Sequence, residues 1–275
     1  MRKIHYWGIY IFLCISCSYH EYVDEYEKVV NDSINMRESD NSNKNSENGK
    51  AGVRTFSVLG NSISTYSGYI PRGYANYYTS SILSVEDTWW MLLSEKEDLE
   101  LASNASWAGS SVANKSGKNA NSYFTSDMRI NALAANGVPD IIFVLGGTND
   151  WGDNSGYLGD YPIDDNYDLK TFRGAYTYLV VQLKKKYPDT SIICCSILPR
   201  KQPRTQKNRY GVTQMEIDES INYICNHYNV NFIDMSVCGI EKDINGYTID
   251  GLHPNKAGMT IISDYINTQI KIRSL

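Results

Sequence analysis

The stretch Val58-Leu59-Gly60-Asn61-Ser62-Ile63-Ser64 decides the fold. A largely apolar run, Val53 to Leu59, stops at a glycine, and a serine follows two residues later. The pattern predicts a buried strand that delivers a hydroxyl to the end of a sheet. Ligands of open α/β sheets bind at the carboxyl ends of the strands, so this address suits a nucleophile. Such a serine is inert without a base, an orienting acid and donors for an oxyanion. A Gly-x-Ser in a loop is most often structural, so the other segments carry the weight. Three offer partners: Ser106-Trp107-Ala108-Gly109-Ser110, Gly146-Gly147-Thr148-Asn149-Asp150, and Asp250-Gly251-Leu252-His253-Pro254-Asn255.

Outward from the first strand, a tyrosine-rich segment (Tyr66, Tyr69, Tyr74, Tyr77, Tyr78) has no clean period and reads as an irregular loop. Asp87 is expected to cap a helix carrying Trp89, Trp90, Leu92 and Leu93, and Leu99 to Asn104 reads as a second strand. A helix from Ser126 to Ala135 is closed by Asn136-Gly137. Pro139 to Leu145 is a continuous apolar run, as expected of a central parallel strand. The loop from Trp151 to Tyr167 is long and acidic, but its spacing fits no EF-hand. Leu169, Phe172, Tyr176, Leu179 and Leu183 share one helical face, and Ser191 to Leu198 is the next strand. Thr213-x-x-Glu216 is a capping box before a helix that turns Ile217, Ile221, Ile224 and Tyr228 inward. Val230 to Ile233 is the last strand, and a helix bearing Ile261, Ile262, Tyr265, Ile266 and Ile270 closes the chain. Strand and helix alternate throughout, which predicts an α/β sandwich with a mostly parallel sheet and right-handed crossovers.

The glycine-rich turn after Leu145 lacks the Gly-Lys-Ser/Thr ending of a phosphate loop. An asparagine there, Asn149, can donate a hydrogen bond into the same cleft as the serine. A glycine at a strand-to-helix transition, Gly109, offers a free backbone N–H at close range. His253 follows Asp250 by three residues in a loop, so the carboxylate can fold back to Nδ1 and turn Nε2 toward a serine. The other histidines are His5, His20 and His227, none beside a candidate nucleophile, which leaves His253 as the base.

Taken in order, these blocks resemble the SGNH hydrolases, the GDSL lipase/esterase superfamily, over about residues 53 to 275. The resemblance implies a flavodoxin-like three-layer α/β/α sandwich. It also implies that Ser62 is the nucleophile, His253 the general base and acid, and Asp250 the residue that orients the histidine. The Ser62 and Gly109 N–H groups and the Asn149 amide become the oxyanion donors, with no metal and no organic cofactor. The usual Gly-Asp-Ser of the superfamily is Gly60-Asn61-Ser62 here, a change that bears on how the nucleophile loop is tied down rather than on proton transfer. The order of blocks separates the chain from α/β-hydrolases, whose nucleophile sits in a mid-chain Gly-x-Ser-x-Gly elbow.

Arg2 and Lys3 precede the apolar run Trp7 to Ile15, too short for a mature membrane span, and Cys14-Ile15-Ser16-Cys17 follows. Residues 1–17 resemble a bacterial lipoprotein signal with Cys17 as the lipidated residue, although Cys14 stands where leucine is usual. A plain secretory signal or a retained anchor is the rival reading. Residues 18–50 read as a flexible polar tether, since Glu38 to Lys50 carries no apolar residue to offset its ordering entropy. Residues 51–275 then form the hydrolase domain. The expected location is the cell envelope, held to a membrane by the N-terminal lipid, or the exterior. Of six cysteines, Cys194, Cys195, Cys225 and Cys238 lie in the domain with no zinc spacing, and buried free thiols are expected, with a disulfide in an exported chain the alternative. A net charge of −5 gives no reason to expect nucleic acid.

The chain holds 22 tyrosines, and an exported, tethered member of this kind suits an O-acetylated carbohydrate as substrate. Trp107 precedes the Gly109 donor and Trp151 follows Asn149, so at least one of the two is expected to border the pocket, while Tyr66 and Tyr69 after Ser62 either add an aromatic rim for a sugar or pack on the domain's own surface. A lipase, lysophospholipase or thioesterase is the alternative within the superfamily, and a non-catalytic glycan-binding lipoprotein the alternative outside catalysis. Arg200, Lys201, Arg204, Lys207 and Arg209 form a basic loop at the catalytic edge, either solvated or facing an anionic substrate.

Overall fold

The computed structural model describes residues 53–78, 81–115, 117–152 and 157–273. The expected signal with Cys17, and the tether over 18–50, lie outside the described residues. Five strands form one sheet: β1 (Thr55–Gly60), β2 (Glu100–Asn104), β3 (Ile141–Leu145), β4 (Ser191–Cys195) and β5 (Asn231–Ile233), in the order β2-β1-β3-β4-β5. Every neighbouring pair is parallel. The protein is therefore the α/β sandwich that the alternation of elements predicts.

Side chains alternate along these buried strands, so each feeds two cores. Leu59, Ile142, Val144 and Cys194 face α4 (Phe172–Lys186) and α5 (Gln214–His227), where Phe172, Tyr176, Leu179, Ile217 and Ile221 are fully buried. Phe56, Val58, Phe143, Ile193 and Cys195 face the opposite layer, α1 (Trp89–Glu97) and α7 (Lys256–Arg273). The adjacent Cys194 and Cys195 thus point to opposite faces, and all four cysteines of the domain are free and buried. Shorter helices complete the frame: α2 (Asp127–Ala132), α3 (Thr148–Gly152) and α6 (Ile244–Tyr247).

Several boundaries differ from expectation: the helix expected over Ser126 to Ala135 ends at Ala132, and the strand expected over Ser191 to Leu198 ends at Cys195. Thr88, not Asp87, caps α1, its hydroxyl accepting from Met91 N at 3.4 Å. Asp87 ends the preceding 3-10 turn and pairs with Lys256 at 2.8 Å, which ties the start of α1 to α7. The long acidic loop begins later than expected, because α3 carries Trp151 inside a helical turn. The capping box holds: Thr213 Oγ1 accepts from Glu216 N at 3.2 Å and Glu216 Oε2 accepts from Thr213 N at 2.8 Å.

Register places the site. Gly60 lies opposite Leu145 and Val58 opposite Asn104, so β2, β1 and β3 end side by side. Each releases one of the singled-out segments at the same edge. Gly60 must be a glycine, because a Cβ would meet Ser106 Oγ and Ser64 Cβ at 2.7 Å.

Candidate active site

Ser62 opens a 3-10 turn directly after β1, and its hydroxyl donates to His253 Nε2 at 2.9 Å. His253 reaches it from the loop between α6 and α7, closed by Ile249 N donating to His253 O at 2.8 Å. Within that loop Asp250 folds back on its own chain. Its Oδ1 accepts from Leu252 N at 3.0 Å and His253 N at 2.9 Å, and its Oδ2 accepts from His253 Nδ1 at 2.8 Å. Burial by itself would raise the Asp250 carboxyl, but the His253 N–H, the imidazole and the Tyr77 hydroxyl outweigh it and hold it at about 2. An ionised carboxylate accepts only, so Nδ1 carries the proton and Nε2 is left as an acceptor for the serine. Burial depresses the His253 imidazole below its ordinary value against the pull of Asp250, and the charge of Arg200 adds to the lowering.

Gly109 sits in an exposed turn at φ +73° with nothing near its Cα side, a conformation that favours glycine. Among the described residues neither the Ser62 nor the Gly109 N–H donates to another protein group. Asn149, at the start of α3, donates from Nδ2 to Ser110 O at 2.7 Å, and its second N–H is left. The neighbouring Asp150 is fully buried and clamps the Gly109 segment, accepting from Val112 N at 3.0 Å and Ala113 N at 2.9 Å. Burial raises its carboxyl, against Lys115 and those two donors.

Asn61 has a role that the usual aspartate could not fill. Its Oδ1 caps the turn by accepting from Ile63 N at 3.0 Å, while Nδ2 donates to Leu145 O at 3.3 Å across to β3. A carboxylate there would keep the cap and set an acceptor against a carbonyl in a buried place. We expect Asn61→Asp to lose about 1–2 kcal/mol at neutral pH. The carboxyl restores the bond only when protonated, so its folded pKa is raised and the deficit shrinks as pH falls. Urea unfolding of both proteins at pH 5 and pH 8 measures this. A deficit that grows toward acid pH contradicts the assignment.

Several residues that organise the site carry no motif. Tyr77 stacks on His253, ring centroids 3.5 Å apart and 13° from parallel, and its hydroxyl donates to Asp250 Oδ2 at 3.0 Å. Arg129 on α2 is fully buried and reaches Gly60 O at 2.6 Å, Ala105 O at 2.9 Å and Ser122 O at 2.8 Å. Only Tyr77 belonged to a segment that the sequence marks out.

The aromatic rim needs correction. Trp151 is 5% exposed, belongs to the α4/α5 core, donates from Nε1 to Val212 O at 3.0 Å and is covered by the Arg200 guanidinium at 4.9 Å. It offers no face to a sugar. Tyr66 is half-buried with its hydroxyl on Leu83 O at 3.1 Å, and Tyr69 is exposed but leans on the buried Trp90. Trp107 is half-buried beside Gly109 and packs on Tyr74 at 4.3 Å. In the basic loop Arg204 pairs with Asp218, and Lys201 N donates to Gly251 O at 2.7 Å, docking the loop on the Asp250–His253 turn.

The GDSL-like Lipase/Acylhydrolase family model matches residues 54–270. A GDSL-like lipase from Bacteroides ovatus is 28% identical with a TM-score of 0.62, covering 82% of this chain and 100% of its own. One from Bacteroides uniformis is 27% identical at 0.62, covering 81% and 97%. A family two carbohydrate esterase from Clostridium thermocellum in complex with cellohexaose shares the fold at 16% identity and 0.55, covering 83% and 67%. No curated protein matches. With nearly all of the described domain inside the matched range, the chain belongs to the GDSL-like lipase/acylhydrolase family of the SGNH hydrolases, whose chemistry is ester hydrolysis.

Proposed function

We propose that the protein is a serine esterase that removes small acyl groups, acetyl first, from carbohydrate. The observation that carries this is the hydrogen-bonded chain from Asp250 through His253 Nδ1 and Nε2 to the Ser62 hydroxyl. His253 takes the serine proton as Ser62 attacks the ester carbonyl, and gives it to the leaving alcohol. Asp250 stabilises the imidazolium formed in between. The Ser62 and Gly109 N–H groups and Asn149 receive the oxyanion, each worth about 3 kcal/mol in the transition state. Water then attacks the acyl-enzyme through the same histidine. The reaction needs no group beyond these side chains and backbone donors.

The carbohydrate part is supported by the half-exposed Trp107 next to an oxyanion donor, because an aromatic face covers the C–H face of a sugar. The same fold serves a carbohydrate esterase in Clostridium thermocellum. The test is acetate release from acetylated xylan or peptidoglycan fragments beside p-nitrophenyl esters of rising chain length. Acetylated glycans should be deacetylated, esters beyond about four acyl carbons should react poorly, and Trp107→Ala should raise KM for glycan more than for p-nitrophenyl acetate. Preference for octanoate with glycans untouched replaces this reading with a lipase. A folded protein with no turnover on any ester points to a binding module.

A further inference from the structure

The short segment Ala75–Tyr78 reaches three blocks of the site. Ala75 O accepts from Ala108 N at 2.8 Å, next to Gly109. Tyr77 N donates to Thr65 Oγ1 at 3.0 Å, and that hydroxyl donates to Ser62 O at 2.9 Å. The Tyr77 ring lies flat on His253 while its hydroxyl meets Asp250 Oδ2, the same oxygen that holds His253 Nδ1. Tyr78, buried, donates to Pro254 O at 3.1 Å just beyond the histidine. One strap of four residues thus joins the turn of the serine, the loop of the histidine and the turn of Gly109.

We propose that Tyr77 is a positioning residue for ester hydrolysis, holding the His253 ring between its own face and the Asp250 carboxylate so that Nε2 stays aimed at Ser62. The proposal rests on the Ser62–His253–Asp250 reading above. Its geometric content is a division of labour. A carboxylate bonded to Nδ1 fixes one atom of the imidazole but leaves the ring able to swing about that contact. A parallel ring at 3.5 Å removes the swing. The hydroxyl then fixes the carboxylate, so that neither partner can rotate away alone. Outer partners of this kind orient the reacting group without touching substrate.

The strap also sets the protonation of the base. The groups that face His253 are Asp250, Tyr77 and Ser62, with Arg200 acting on it through its charge and Tyr78 standing beside Tyr77 and Asp250. Burial is the leading cause of the depressed imidazole, and the Tyr77 ring supplies cover on one face. Burial, then the bond to Asp250, pushes the Tyr77 hydroxyl up to about 12, so it stays a donor throughout the working range. Removing the hydroxyl leaves Asp250 Oδ2 a stronger acceptor for Nδ1–H and so favours the imidazolium. Removing the ring as well admits water and favours it further. Both changes move the base upward, and the acid limb of kcat/KM moves with it.

The experiment compares the full chain with Tyr77→Phe and Tyr77→Leu on p-nitrophenyl acetate from pH 4.5 to 9. The parent should keep its acid limb below the ordinary imidazole value. Tyr77→Phe should lose about threefold to tenfold in kcat, the scale of one charge-assisted hydrogen bond, and Tyr77→Leu about a hundredfold. KM should hold in both, and the limb should climb in the order parent, Phe, Leu. A fluorophosphonate titration of Ser62 counts competent sites, so a partly unfolded variant is corrected for and not mistaken for a slow one. A loosened loop alone lowers the count without moving the limb. In a Ser62→Ala background, NMR titration of His253, assigned with His253→Asn, should show the same upward order without any need for turnover. A raised KM with kcat and limb unchanged makes Tyr77 a substrate contact and overturns the proposal. So does a Tyr77→Leu enzyme with parental kcat. Should Ser62→Ala keep parental turnover, the triad reading fails and takes this proposal with it; a dead Ser62→Ala beside an unaffected Tyr77→Leu sinks the proposal alone.

Discussion

Replacing Ser62 with alanine is expected to remove ester hydrolysis by on the order of 10⁴-fold or more while leaving the fold in place. Ser62 is 5% exposed and, among the described residues, its hydroxyl bonds only to His253 Nε2, so its loss orphans an imidazole nitrogen that water or the substrate cleft can still satisfy. Stability should therefore change by no more than about 0.5 kcal/mol. His253→Ala should be as severe, because a serine hydroxyl without its base is not a nucleophile at neutral pH. The double variant should be no worse than either single one, since the two residues act as a unit. Asp250→Asn is expected to lose about 10³- to 10⁴-fold. It keeps the shape but presents an amide that can select the wrong tautomer. The measurement is kcat/KM on p-nitrophenyl acetate with urea unfolding run on the same preparations. Parental turnover by folded Ser62→Ala would falsify the nucleophile assignment, and additive losses in the double variant would separate the histidine from the serine.

What could be read from the chain, and what could not, follows from how far the relevant contacts reach. The strands β1 and β3 are visible because their apolar runs are local. Ser62, Asn149 and the Asp250–His253 pair are visible because each lies within a few residues of a strand or helix end. The pairing of His253 with Asp250 is local too, three residues apart, and the turn that closes it needs no other element. Trp151 departs from expectation because adjacency in sequence is not adjacency in space. Two residues along a helix turn a side chain by about 200°, so a tryptophan two after Asn149 on α3 faces away from it, into the core. Tyr77 was hidden for the opposite reason. Its partner Asp250 is 173 residues away, and in an irregular loop no period singles out one tyrosine from its neighbours. Asn61 stands out in sequence as a departure from Gly-Asp-Ser, but its second bond, to Leu145 O on β3, depends on the strand register.

Nothing in the sequence marks out Arg129, and the expected cost of removing it is the largest in stability. Arginine is almost never fully buried unless paired, yet this one is fully buried and, among the described residues, its hydrogen-bond partners are carbonyl oxygens. Its Nε and Nη2 both donate to Ala105 O, Nη2 also to Gly60 O and Nη1 to Ser122 O, with the guanidinium 4.4 Å over the Phe124 ring. Burial lowers the group to about 9, which still leaves it charged at neutral pH. The charge is tolerated because its partners are carbonyl oxygens, two where β1 and β2 end (Gly60 and Ala105) and one in the 3-10 turn at Ser122, and the planar fork reaches all three at once. Arg129→Met keeps much of the volume but strands the Ala105 and Ser122 carbonyls; Gly60 O keeps Trp107 N at 3.1 Å. We expect a loss of about 3–5 kcal/mol, read as a lower urea midpoint with an unchanged slope. Arg129→Lys should fall between the two, since a single ammonium on a flexible stem cannot span three carbonyls. Because Gly60 directly precedes the Asn61–Ser62 turn, the surviving folded fraction should also lose kcat, more for Met than for Lys. A urea midpoint for Arg129→Met equal to that of the parent would mean that the strand ends are held without the buried cation, and that the fork is a consequence of the site and not its support.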